Sequence, residues 1–170
     1  LEMTRVAITG VGLALPGVDG VDGLRRGETW DGALFDRKSA TDVPPRVRRR
    51  MSRLACMAAR ATREAGGADL HERTPLLFGT ANGEVNIMGE LLEALHEPDR
   101  ILSAARFHNS VHNAPAGYWG ILARRTAGGS TLTAGALTFE MTVLEAWCQI
   151  AGGEPEVQVT HLFRLCEEMT

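Results

Sequence analysis

Residues 130–150 read STLTAGALTFEMTVLEAWCQI, an extended run followed by a tight turn and a long apolar segment. The first four residues predict a short strand, the triplet Ala134-Gly135-Ala136 a turn, and residues 137–150 a helix. A helix that begins directly after a strand directs its free N–H groups and positive dipole end at the turn. Several enzyme classes hold a nucleophilic Cys or Ser there. Here that position is Gly135, so the turn carries no nucleophile.

The predicted helix 137–150 is apolar on most of its circumference. A helix with this pattern is buried on several sides, so we expect it to be buried in the fold. Because 170 residues offer little protein to cover such a helix twice, we expect part of the cover to come from a partner chain. The two apolar stripes are Leu137, Met141, Leu144, Cys148 and Ala151, and Phe139, Val143, Trp147 and Ile150.

Strands and helices alternate along the rest of the chain, which predicts an α/β fold with a mainly parallel sheet. We expect one domain over residues 3–170, with residues 1–2 a cloning remnant. The predicted strands are 5–9, 76–78, 130–133 and 157–159. The other predicted helices are a first helix from Val47 to a glycine cap at Gly66-Gly67, a second over 87–95 and a third over 114–125. Residues 107–113 are predicted to be a polar connection.

Composition excludes several classes of protein. The formal net charge is −3, which gives no general attraction to nucleic acid or anionic membranes. No apolar run reaches the roughly 20 residues of a membrane span, and no signal peptide is recognisable. Three cysteines without motif spacing indicate reduced thiols in a cytoplasmic protein. We expect Cys56 and Cys148 to be inert core thiols, whereas the sequence says little about Cys166.

Two short patterns have both a functional and a structural interpretation. His108 and His112 are four residues apart and could contribute to a metal site, but zinc needs three or four ligands and no neighbouring ligand completes the set. We expect these histidines, with Asn109 and Asn113, to order a loop and cap the helix at 114. The glycines of the segment 10–17 lack the spacing of a dinucleotide fingerprint, and no helix follows them.

A basic run precedes and enters the first long helix. Such a run is usually a solvated helix face, and it could also dock an acidic protein such as an acyl carrier protein. Nucleic acid is a weaker candidate, because no aromatic residues are interleaved with the arginines. The carrier-docking candidates are Arg48, Arg49, Arg50 and Arg53.

Five segments together resemble the N-terminal half of a β-ketoacyl synthase of the thiolase-like superfamily. Residues 5–17 are similar to that family's opening strand and loop, 48–59 to its first long helix, and 78–84 to its next strand and loop. The most specific match is SVHNAPAG at 110–117, which with TAGALTFE at 133–140 resembles a short subgroup. That subgroup belongs to aryl polyene and xanthomonadin-type pigment pathways and is similar to chain length factors.

The resemblance implies a thiolase-like half domain with α/β/α layers, a mainly parallel mixed sheet and the buried helix 137–150. It also places Gly135 where an active synthase has its acyl-accepting Cys. The two downstream histidines of an active synthase belong to a C-terminal half that this sequence lacks. No cofactor and no metal are implied. The substrate-tunnel or interface candidates are Val111, His112, Asn113, Tyr118, Phe139 and Trp147.

We therefore expect a non-catalytic, chain-length-factor-like subunit that pairs with a competent β-ketoacyl synthase, or forms a homodimer, and meets an acyl carrier protein. The main alternative is a standalone module that binds an acyl chain or an acyl carrier protein. A residual enzyme with an unexpected nucleophile and a fragment of a longer protein are two further interpretations.

Overall fold

The structure is a computed structural model that describes residues 6–30, 32–67, 69–154 and 157–162. Cys166 lies outside these ranges, as does the start of the predicted first strand. One-turn 3-10 helices lie at Arg37–Ser39 and Gly135–Leu137. The helices are α1 Gly20–Arg25, α2 Pro45–Arg48, α3 Arg53–Glu64, α4 Val85–His96, α5 Ala104–Asn109, α6 Ala114–Leu122 and α7 Thr138–Ala151; the strands are β1 Leu76–Thr80, β2 Gly129–Leu132 and β3 Gln158–Leu162.

The three strands form a parallel sheet in the order β2-β1-β3. All five residues of β1 are buried, as expected for a central strand covered on both faces. Leu76 and Phe78 belong to the core cluster shared with α3 and α6, and alternation along the strand directs Leu77 to the face that α7 covers. This is the predicted α/β/α layering, although the strands described are all parallel and give no mixed sheet.

The predicted helix from Val47 is two helices. Ser52 begins a new helix as the N-cap of α3, where its Oγ accepts the N–H of Ala55 at 2.9 Å. Gly66 follows the end of α3 with φ +80, as the predicted glycine cap requires. The apolar sequence pattern did not reveal the break between the two helices, because Met51, in the segment that separates them, is also buried.

The predicted strand 5–9 is wrong for the residues that are described. Residues 6–14 have no regular structure, and they lie against the C-terminal part of α3 instead of pairing with the sheet. Glu64 of α3 accepts the N–H of Leu13 at 2.9 Å. A Cβ on Gly12 would overlap the carbonyl of Ala61, and one on Gly10 that of Ala65. The glycines thus permit close backbone approach, which explains them without a nucleotide.

Gly12→Ala is expected to lower the free energy of unfolding by about 1–3 kcal/mol, because the new methyl group meets helix backbone that cannot move aside. Urea denaturation measures the loss. The matched control is Gly117→Ala in α6, since a Cβ there meets no described atom within 4 Å and alanine is the better helix former. Equal unfolding free energies for Gly12→Ala and the parent protein would show that the 6–14 segment does not pack on α3.

The predicted polar connection 107–113 is partly helical. α5 reaches Asn109, and its N-cap Ser103 accepts the N–H of Arg106. Asn113 is the N-cap residue of α6, but its side chain makes no capping hydrogen bond. The expectation of an Asn side-chain cap is therefore wrong, and the first turn of α6 instead contains Pro115, which suits that position.

The expected burial of helix 137–150 is wrong within this chain. The residues of α7 that face the sheet are small: Thr138, Thr142 and Ala146 are buried. Thr142 Oγ1 donates to the carbonyl of Thr138 at 2.6 Å within the helix, and the Thr138 hydroxyl bonds to the preceding turn. Both predicted apolar stripes are mostly exposed, because no element among the described residues packs over them.

Candidate functional site

The turn between β2 and α7 lies at the carboxyl edge of the sheet, where open α/β folds bind ligands. Gly135 has φ +56, in the left-handed region, and a Cβ there would meet no described atom within 4 Å. The Thr138 hydroxyl fixes the turn by accepting the Ala134 N–H at 3.0 Å and donating to the Gly135 carbonyl at 2.7 Å. The elbow is therefore rigid, open and without a reactive side chain.

The loop after β1 lies beside this elbow. Thr133 Oγ1 donates to the carbonyl of Thr80 at 2.8 Å and so joins the ends of β2 and β1. Thr80 Oγ1 in turn accepts the N–H of Gly83 at 3.0 Å. His112 packs over Gly83, where a Cβ would lie 2.5 Å from the His112 Nδ1 atom. The structure thus brings Gly135 and His112 to one edge of the sheet, through Thr80 and Thr133.

The other members of the 110–118 segment are placed differently. Val111 and Asn113 are exposed, whereas Tyr118 is buried. The Tyr118 hydroxyl donates to the carbonyl of Arg50 at 2.8 Å, and Asn109 Nδ2 donates to the same oxygen at 2.7 Å. Burial raises the pKa of Tyr118. Tyr118 therefore supports the junction between α2 and α3 and stays a neutral phenol.

Two hydrophobic site candidates, Phe139 and Trp147, lie on the exposed side of α7. Phe139 is 45% exposed and Trp147 43% exposed. They belong to a set of exposed apolar side chains that we call the α7 apolar face. It consists of Leu137, Phe139, Met141, Val143, Leu144 and Trp147, each between 39% and 61% exposed. An exposed apolar surface of this kind marks an interaction site or a ligand groove.

The two described cysteines differ in their surroundings. Cys56 is fully buried in α3, and burial raises the pKa of its thiol to about 11, so it is the inert core thiol that the sequence predicts. Cys148 is exposed near the end of α7, so its predicted core position is wrong. It lies more than three helical turns from Gly135, at the opposite end of α7.

The four carrier-docking candidates divide into two groups. Arg49, Arg50 and Arg53 are exposed. Arg48 is half-buried, and its guanidinium donates to the carbonyl of Ala40 at 2.9 Å, which ties the 37–40 turn to α2. The exposed cationic surface therefore consists of three of the four residues.

His, Cys, Asp and Glu side chains form no group of three or more that could hold a metal ion among the described residues. His108 packs edge-on against Tyr118, with ring centroids 6.0 Å apart, while His112 lies over Gly83.

No helix in the described part of the chain combines the length and apolar character that crossing a bilayer requires.

The sequence interpretation missed a buried acidic residue at the end of the loop that follows β1. Glu84, the N-cap residue of α4, is 6% exposed, and its carboxyl group is hydrogen-bonded to the Ser52 hydroxyl of α3. Burial raises the pKa of Glu84 from 4.5 to about 7. Serine is a favoured N-cap residue, so Ser52 could have indicated a helix start, but the sequence interpretation placed it inside a helix. Nothing in the sequence indicated that this cap also meets a carboxyl group 32 residues away.

Solved structures with the same fold include several ketosynthase complexes. A chain from the ketosynthase ApeO in complex with its chain length factor ApeC, from Xenorhabdus doucetiae, matches with a TM-score of 0.68 at 22% identity, over 85% of this chain and 60% of that chain. A chain of the ishigamide ketosynthase/chain length factor gives a TM-score of 0.70 at 21% identity, over 86% and 49% of the two chains.

A chain of the AntDE:AntF complex, a type II PKS acyl carrier protein with its ketosynthase bound to the hexaketide, gives a TM-score of 0.67. Identity is 18%, over 86% of this chain and 47% of that chain. The chain thus spans 47–60% of the length of these structures. At these identities the likeness shows the fold: a thiolase-like half domain. A search of curated proteins gives no match.

A family model, the N-terminal domain of β-ketoacyl synthase, matches residues 29–162. The match includes the whole sheet, the elbow at Gly135 and α7. The chain therefore belongs to the β-ketoacyl synthase N-terminal domain family.

Proposed function

We propose that this chain is a non-catalytic, chain-length-factor-like subunit of a β-ketoacyl synthase complex. It pairs with a catalytically competent synthase and forms one wall of the acyl tunnel, so that it influences the length of the product. The pathway that we propose is the synthesis of an aryl polyene or a related pigment. The observation that carries the proposal is an elbow without a thiol at Gly135, followed directly by the α7 apolar face.

The geometry of the elbow supports the loss of the nucleophile. The turn keeps the strand-to-helix arrangement that favours an anion at the helix N-terminus, and space is open beside Gly135. Neither described cysteine substitutes for a thiol at this place, because Cys56 is buried and Cys148 lies at the far end of α7. Condensation by the synthase route needs an acyl-accepting group there, so we propose that the partner supplies it.

The α7 apolar face supports the pairing. Its side chains project from a helix whose other side already packs on all three strands. Obligate subunit interfaces are apolar and resemble a domain core cut in half. Because α7 begins at the elbow, a partner seated on this face would also lie near Gly135, and we propose that Phe139 and Trp147 line the space between the subunits.

The exposed arginines support a contact with an acyl carrier protein. Arg49, Arg50 and Arg53 carry three positive charges on one short stretch of a chain whose net charge is −3. An acidic carrier protein would be steered to such a patch. Val111, His112 and Asn113 remain proposed tunnel or interface residues on the side where His112 meets Gly83.

Co-expression with a cognate synthase tests the proposal. We expect the two chains to co-purify as a heterodimer, and the product of the synthase to change in length when this chain is omitted. A chain that stays monomeric and leaves the product length unchanged would refute the proposed role.

The same purification distinguishes the alternatives. An acyl chain detected by mass spectrometry on the isolated chain, with no second protein, would favour a standalone acyl-binding module, and a stable dimer of this chain would favour self-association. Turnover by the isolated chain that stops on alkylation of Cys148 would indicate a residual enzyme.

A further inference from the structure

The junction of α3 and α4 contains an arrangement that the proposed function does not use. Ser52 Oγ accepts the N–H of Ala55 at the start of α3, and its single proton is directed to the carboxyl group of Glu84. Glu84 is itself the N-cap residue of α4 and is 6% exposed. One hydroxyl therefore links the first turns of two helices, through a carboxyl group that is buried in the interior.

The Glu84 carboxyl group has no basic side chain in ion-pair contact among the described residues. The titratable groups that face it are the Cys56 thiol from α3 and the Tyr118 phenol from α6, both of which are neutral at physiological pH. His112 lies over Gly83, the residue before Glu84. The charged groups that interact with Cys56 are Arg37, Arg48 and Asp42, and Arg50 interacts with Tyr118. The positive end of α3 favours the anion, but burial outweighs it.

The Ser52–Glu84 contact lies directly beside the turn between β1 and α4. Gly83 has φ +56 and is held by Thr80 on one side and by His112 on the other. Glu84 is the next residue, so an outward movement of its side chain would release the turn that His112 covers. Burial of an ionised carboxylate without a counter-charge is costly, which makes such a movement the expected response to ionisation.

We propose that Glu84 and Ser52 form a pH-sensitive latch, closed when Glu84 is protonated and opened when it ionises, which controls how firmly the turn at 81–84 and the first turn of α4 are held at the start of α3. The raised pKa of Glu84 determines how the stability of the closed latch changes with pH. The folded chain binds this proton more tightly than the unfolded chain, so the stabilisation is complete below pH 4.5 and is lost as the pH rises to about 7.

Hydrogen exchange of the full chain at pH 6 and pH 8.5, corrected for intrinsic exchange rates, tests the latch. The turn at 81–84 and the first turn of α4 are expected to exchange about tenfold faster at pH 8.5 than at pH 6, while β1 keeps its protection. Glu84→Gln keeps the shape and a neutral group, and its exchange should not depend on pH. The matched control is Glu93→Gln, an exposed glutamate on the same helix, which should behave like the parent protein.

A second variant keeps the test decisive if Glu84→Gln does not fold. The Ser52 hydrogen bond holds the pKa of Glu84 below the value that burial alone would give. Ser52→Ala is therefore expected to move the midpoint of the pH-dependent opening to higher pH. Protection of the turn at 81–84 and the first turn of α4 that is equal at both pH values in the parent protein, or a pH dependence that survives in Glu84→Gln, would overturn the proposal.

Discussion

Trp147→Glu is expected to weaken binding of the proposed synthase partner at least about a hundredfold, which corresponds to about 2.8 kcal/mol. Trp147 is 43% exposed on the α7 apolar face. Buried aromatic anchors dominate interface energies, and a carboxylate in their place must be desolvated without a counter-charge. Isothermal titration with the purified synthase measures the change, and the product length should shift with it.

The control variant is Leu24→Glu. Leu24 is 54% exposed on α1. Its substitution introduces the same negative charge at an exposed apolar position on a different helix. Leu24→Glu should keep the unfolding free energy within about 1 kcal/mol of the parent, because Leu24 is exposed. Urea denaturation of both variants separates a loss of partner affinity from a loss of folding. Phe139→Glu gives a second test on the α7 apolar face. Normal affinity in both α7 variants would exclude this face as the interface, even if a complex forms.

Arg125→Ala is expected to lower the free energy of unfolding by about 3 kcal/mol, because a charged donor of several hydrogen bonds is removed from the interior edge of the sheet. The Arg125 guanidinium donates to the carbonyl of Gly67 at 2.7 Å, to Gln158 Oε1 at 3.1 Å and to the carbonyl of His71. Gln158 Oε1 also accepts the buried indole N–H of Trp119 at 2.8 Å. The side chain thus joins α6, the segment after α3, and β3.

Arg124→Ala is the matched control, since the neighbouring arginine is exposed and no packing is lost with it. Urea denaturation at one pH compares the two variants. Arg125→Lys should retain only part of the stability, because an ammonium group cannot reach all three oxygens with the geometry of a guanidinium. A loss of the same size in Arg124→Ala and Arg125→Ala would show that net charge, and not the hydrogen bonds, determines the effect.

Elements with a strong local signal were predicted well from the sequence. The apolar run that became β1, the Ile87–Leu95 pattern within α4 and the strand–turn–helix order at residues 130–150 all have the predicted type. Their boundaries shifted by a few residues. The helix predicted from Val47 was instead divided in two, because a capping hydrogen bond at Ser52 begins a new helix. The positive φ at Gly66 and Gly135 also follows from local chemistry, because glycine occupies the left-handed region without a steric cost.

Errors arose where the outcome depends on a distant partner. The β-type run after residue 5 found no strand to pair with, and its glycines pack on α3 instead. Because α7 is apolar on nearly every side, the sequence did not indicate which side packs on the sheet. In the structure, the side with Thr138, Thr142 and Ala146 faces the strands. Small side chains let the helix approach the strands, while the large ones remained outside.

The sequence by itself determined the family, the alternation of strands and helices, and the absence of a nucleophile at Gly135, since each depends on residue identity and short-range geometry. Only the tertiary structure decided that the α7 apolar face is exposed among the described residues, that Cys148 is exposed and that Glu84 is buried against Ser52. The physical reason is that burial and the pKa of a carboxyl group depend on which atoms surround it in space. Those atoms come from segments far apart in the chain, which no local pattern specifies.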